Sequence, residues 1–87
     1  MTEKEKALLR FGMNFRKVRK SLGLSQDEVA ANSDRLIKAT ISDTDNGKRN
    51  IELTTLLDLA KGIGKPPMLL LDYDHDCDVR SEDLLNS

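Results

Sequence analysis

Ser25-Gln26 and, further along, Thr40-Ile41-Ser42-Asp43-Thr44-Asp45-Asn46-Gly47-Lys48-Arg49-Asn50 set hydroxyls, amides, carboxylates and cations close together in two short blocks. Those types suit recognition by hydrogen bonding more than bond making. The single histidine, His75, and the single cysteine, Cys77, stand together in the run Asp74-His75-Asp76-Cys77-Asp78. No nucleophile and base share a pocket that the pattern could build, so an enzyme is not expected. The run itself has metal-capable types but no coordinating partner elsewhere, so neither a metal nor a cofactor is expected. The first block, Leu22 to Ala30, writes a short helix opened by serine and glutamine, and the second writes a polar helix stopped by Gly47. Two short helices joined by a turn are how a small domain presents one of them to the DNA major groove. Double-stranded DNA is therefore the expected partner.

The elements that must hold these blocks can be read from spacing. At 87 residues the chain is one domain, and such a chain buries only about 60–65% of its unfolded surface. Thr2 and Glu5 have capping-box spacing at the start of a first helix, whose core stripe is Leu8, Phe11, Phe15, Val18 and Leu22. Gly23 ends that helix, and Arg10, Arg16, Lys17, Arg19 and Lys20 line its other face. A second capping box, Ser25 to Glu28, opens the next helix, with Val29 and Ala30 turned inward. Asn32 to Arg35 form the turn, Leu36 is its buried anchor, and a third helix runs from Ile37 or Lys38 to Asp45 or Asn46. Leu53, Leu56, Leu57, Ala60 and Ile63 predict a fourth helix ended by Gly62 and Gly64, with Glu52 standing where Ser or Asp would cap better. Pro66 and Pro67 suit the start of a fifth, short and very apolar helix over Met68 to Tyr73. The expected fold is an all-α, compact five-helix domain over residues 1–73, followed by an acidic tail over 74–87 in which Ser81 to Leu85 resembles a helix start.

The formal net charge of -1 hides a division. Residues 1–50 carry 11 Lys/Arg against 7 Asp/Glu, whereas residues 51–87 carry 3 against 8. The basic half holds both blocks and can neutralise several phosphates, while the acidic tail would weaken non-specific binding. One cysteine and no apolar leader predict a reducing, cytoplasmic location. The longest apolar run, Met68 to Leu71, is far too short to cross a membrane.

From Leu8 to Asp72 the chain resembles the Cro/C1-type helix-turn-helix family, the xenobiotic-response-element regulators of bacteria and phages. The resemblance rests on Leu24-Ser25-Gln26 with Val29-Ala30, then Thr40-Ile41-Ser42, Asn46-Gly47-Lys48-Arg49 and the helix of Leu56-Leu57 to Ala60. As an ordered set these motifs are specific. The ending, from Leu53 through Pro66-Pro67 to Leu71, is also similar to small controller proteins of restriction-modification systems and to compact phage repressors.

The resemblance implies a lambda-repressor-like fold and a sequence-specific transcriptional regulator, such as a repressor, acting as a homodimer on an inverted-repeat operator. Ile37, Lys38, Ala39, Thr40 and Asp43 fall at base-reading positions, where lysine can donate to guanine, aspartate can accept from cytosine, and Ala39 or the Thr40 methyl can touch a thymine methyl. Ser25 and Gln26 at the start of the second helix, Asn46, Lys48 and Arg49 beyond the third, and Arg16, Lys17 and Lys20 on the first are implied phosphate contacts. Arg19 and Asp45 occupy the positions of a family ion pair, with Asp in place of the commoner Glu. The turn holding Ser33 to Leu36 is one residue longer than the family pattern, which predicts a changed angle for the third helix. Met68, Leu69, Leu70 and Leu71 are the expected two-fold contact. No small-molecule substrate is implied. The alternative, favoured by Asp43 and Asp45, is an antitoxin-like or adaptor module that has given up base reading and works through Met68 to Leu71 and the acidic tail.

Overall fold

The computed structural model describes residues 1–74. The acidic run from His75 onward and the helix start expected over Ser81 to Leu85 lie outside the described residues. Four α-helices and one 3-10 turn follow in order: α1 (Glu3–Ser21), α2 (Gln26–Asn32), α3 (Lys38–Asp45), α4 (Leu53–Ile63) and the turn Pro67–Leu71. No strand occurs among the described residues, and none of the helices is long and apolar enough to cross a membrane.

Both capping boxes form. The Thr2 hydroxyl accepts from Glu5 N at 3.1 Å while the Glu5 carboxylate accepts from Thr2 N, and this fixed geometry holds the exposed Glu5 carboxyl below its usual range. Ser25 and Glu28 exchange the same two bonds at 3.0 and 3.1 Å. Gly23, Gly47 and Gly64 take positive φ where the chain leaves α1, α3 and α4. Glu52 precedes α4 without any side-chain cap bond.

The fifth helix expected over Met68 to Tyr73 is instead the 3-10 turn, and the reason is local. Neither proline carries an N–H, and the segment closes by i to i+3 bonds, Leu69 N to Pro66 O at 3.1 Å and Asp72 N to Leu69 O at 3.4 Å. Carbonyls that an α-helix would pair internally are met from outside. The Asn14 amide on α1 donates to Leu69 O at 3.3 Å and Leu70 O at 3.0 Å.

The core joins every element: Phe11 and Phe15 from α1, Val29 from α2, Ile41 from α3, Leu59, Ala60 and Ile63 from α4, and Leu70 from the turn. Burying each of the larger side chains contributes about 1.5–3 kcal/mol. Three expected core residues, Leu22, Leu53 and Leu57, move out. Leu22 lies one step beyond the end of α1 and is 37% exposed, and Leu24 packs on the core in its place. In α4 the buried phase includes Leu59 and leaves Leu53 and Leu57 exposed. The apolar side chains of α4 span roughly 160° of its circumference at 3.6 residues per turn, so periodicity alone does not fix which edge of the stripe is buried, and close packing on α2 selects it. A Cβ added at Gly62 would sit 2.7 Å from Val29 O and 2.8 Å from Val29 Cγ1. Gly62 is thus an interior residue of α4 at its crossing with α2, and only Gly64 ends the helix.

Candidate nucleic-acid interface

α3 is eight residues long, and its two ends are held differently. At the C-terminal end Thr44 and Asp45 are buried, and the Thr44 hydroxyl is satisfied by Thr40 O at 2.8 Å. A Cβ at Gly12 of α1 would collide with the Thr44 carbonyl oxygen and lie 2.9 Å from that of Asp45, so the two backbones touch. Arg19 and Asp45 form the expected ion pair, Nη2 to Oδ2 at 2.7 Å, with both side chains buried. Arg19 Nη1 also donates to Leu24 O at 2.9 Å. The pairing uses one nitrogen and one oxygen: Arg19 Nε and Asp45 Oδ1 are buried without a hydrogen-bond partner among the described residues. A buried pair so incompletely matched gives little net stability, because desolvation offsets the Coulomb attraction, and its effect is to orient α3 against α1.

The same Asp45 oxygen accepts from Gln26 Nε2 at 2.9 Å. One carboxylate therefore ties together α1, the first residue of α2 and the end of α3. Gln26 has a second amide hydrogen left to donate. Ser25 accepts with its hydroxyl in the capping box, which leaves the hydroxyl proton to donate outward.

At the N-terminal end α3 is open. Ile37 occupies the cap position with no side-chain cap bond and is 63% exposed. Lys38 and Ala39 are exposed, and Thr40 and Asp43 are half-buried. Lys38, the only Lys or Arg of α3, lies 3.5 Å from Asp27 of α2 across an exposed gap. Beyond the helix, the Asn46 amide folds back on Ser42 O at 2.9 Å, and Lys48 N donates to Asp43 O at 2.9 Å. Arg49 donates to the Thr40 hydroxyl at 3.2 Å. That bond places one of the expected phosphate contacts beside one of the expected base contacts. Lys17 and Lys20 are exposed on α1, and Arg16 is half-buried there.

The turn that leads into α3 has a tie that the pattern of the sequence did not show. Asp58 of α4 accepts from the backbone N–H of Asp34 at 2.7 Å and of Arg35 at 2.9 Å, one per carboxylate oxygen. Lys61, one turn along α4, pairs with the Asp34 carboxylate, and that hydrogen bond holds the Lys61 ammonium above its usual range. No short-range spacing signals a contact between residues so far apart in the chain. Neither does any spacing link Asp27 to Lys38. Of the four residues expected at a two-fold contact, Met68 is 76% and Leu71 43% exposed, Leu69 is half-buried, and Leu70 is fully buried in the core. Leu70 is therefore spent within the single chain and not available to a partner.

A family model described as helix-turn-helix matches residues 15–70. The crystal structure of the restriction-modification controller protein C.AhdI from Aeromonas hydrophila superposes with a TM-score of 0.67 at 33% sequence identity, covering 72% of this chain and 94% of that one. Comparison with curated proteins gives no match. The matched span contains the capped α2, the turn of residues 33–37, α3 with its buried Arg19–Asp45 anchor, and α4. The chain belongs to the Cro/C1-type helix-turn-helix family of DNA-binding transcriptional regulators.

Proposed function

We propose that this regulator binds an inverted-repeat operator as a homodimer, with α3 of each copy in successive major grooves. The observation that carries the reading is the asymmetry of α3: a buried, anchored C-terminal end and an open N-terminal end that offers Ile37, Lys38, Ala39 and Thr40. Those residues and Asp43 are the proposed base readers. Arg16, Lys17, Lys20, Ser25, Gln26, Asn46, Lys48 and Arg49 are the proposed phosphate contacts. The exposed Met68 and Leu71, with part of Leu69, supply the apolar surface for the two-fold contact. Half-sites would then lie about one helical turn, roughly 10 bp, apart. The likeness to a restriction-modification controller protein favours a small controller of that kind, working in the cytoplasm.

Selection of preferred sequences from a random duplex pool at two salt concentrations tests the proposal. The expected result is a palindrome whose binding falls steeply with salt, as release of counterions from several phosphates requires. Weak, salt-labile binding with no enriched sequence would overturn it. That outcome would favour the adaptor reading, for which the pairing of Lys38 with Asp27 is the supporting observation.

A further inference from the structure

The recognition helix touches α1 and α2 closely but has little direct contact with α4. The segment of residues 46–52 joins α4 to the C-terminal end of α3, and the turn of residues 33–37 ties α4 to its N-terminal end. Within that turn Ser33 makes only local bonds, to Ala30 O at 2.7 Å and from Leu36 N at 3.1 Å. Leu36 rests on the core and fixes how deep the turn sits. The direction of the turn is fixed by Asp58, whose two oxygens each take one of two successive backbone N–H groups. Carboxylate acceptors make such bonds short and strong, and two of them on adjacent amides leave the peptide plane no freedom to rotate.

We propose that Asp58, on α4 and outside the contact set above, is a positioning residue that sets the angle at which α3 presents Lys38 and its neighbours to the bases. The inference rests on the DNA-binding reading and deepens it. Its mechanical basis is the difference between the ends of α3. With the C-terminal end fixed on Gly12 and Arg19, the helix can move only at its N-terminal end. Eight residues at about 1.5 Å each make a lever of about 12 Å, so a shift of about 1 Å at the turn tilts it by about 5°. Such a tilt displaces Lys38 most and leaves the backbone of Asn46, Lys48 and Arg49 nearly in place, while the Arg49 side chain stays bonded to Thr40. α3 begins without a side-chain cap of its own, so the tie from Asp58 to Asp34 N and Arg35 N is a side-chain restraint from outside the turn close to its start.

Asp58→Asn retains the shape of the side chain but turns one acceptor into a donor that faces an N–H. In the random-duplex selection, the variant should lose about three- to tenfold of its discrimination at the base pairs whose preference Lys38→Ala also relaxes. Discrimination elsewhere and the slope of affinity against salt should stay as in the unsubstituted protein, because the substitution removes none of the phosphate contacts. A thermal melt accompanies each sample. If Asp58→Asn melts below the assay temperature, Asp58→Glu is read in the same way; it keeps both acceptors and the charge but carries them one methylene outward, so the same base pairs should change. An unaltered preference, or an affinity loss uniform over all sequences, would overturn the proposal. If the unsubstituted protein itself enriches no sequence, the DNA-binding reading beneath it fails as well, and that result is distinct because it appears before any variant is made.

Discussion

The two ends of α3 are separated by two helical turns and built on opposite terms. At Thr44 and Asp45 the helix is buried, its hydroxyl satisfied, its carboxylate paired and its backbone flush against Gly12. At Ile37 and Lys38 it is exposed and without a side-chain cap, and Lys38 pairs with the exposed Asp27 at 3.5 Å. A helix that must read bases cannot bury the side chains that do the reading, so the stability of α3 has to come from the end that does not. Helices this short are marginal alone in water. The anchored end is what lets the open end exist.

Removing the anchor should have the largest effect. Asp45→Ala leaves the Arg19 guanidinium buried without its partner and frees Gln26, and should cost about 3–5 kcal/mol in a urea melt. An equally large loss from Lys38→Ala would break the comparison. Next, Gly12→Ala drives a methyl into the carbonyls of Thr44 and Asp45. It should cost about 1–3 kcal/mol despite the better helix propensity of alanine. A neutral or stabilising result would mean that α1 and α3 are free to separate. At the open end, Lys38→Ala should relax preference at one base pair by about 1–3 kcal/mol while leaving the melt unchanged. Arg49→Ala should weaken every sequence alike, and equal behaviour of the two in competitive binding would remove the distinction between readers and clamps. Smallest is Ile37→Ser, which supplies the missing cap: the melt should rise by about 0.5–1 kcal/mol, while affinity for the selected operator falls as an apolar contact is lost.

How much of this was legible in the sequence depended on the range of the interaction. The capping boxes at Thr2–Glu5 and Ser25–Glu28 are patterns three residues wide, and both form as spaced. The Arg19–Asp45 pair was accessible only because the motif around it is shared by a family. In α4 the spacing identifies Leu56, Ala60 and Ile63 as core, but not which edge of the apolar stripe is buried. Leu59 could be assigned to the core only once Gly62 had met Val29. The segment from Pro66 to Tyr73 departs from expectation for a different reason. Two prolines are compatible with a helix start, and only the Asn14 amide, supplied from the first helix, shows why a 3-10 turn suffices. Asp58 and Asp27 were silent because exposed acids on helix faces look alike until the partner is placed.

The Asn14 bonds to Leu69 and Leu70 also set an order of events during synthesis. The first helix is made early, yet its amide waits for carbonyls more than fifty residues downstream, and Leu70 belongs to the same core as Phe11 and Phe15. At translation rates of about 5–20 residues per second, the nascent chain spends several seconds with that patch uncovered. Closure comes only when the stretch after Pro67 has left the ribosome. Until then the growing polypeptide carries an uncovered apolar patch of the kind that chaperones bind.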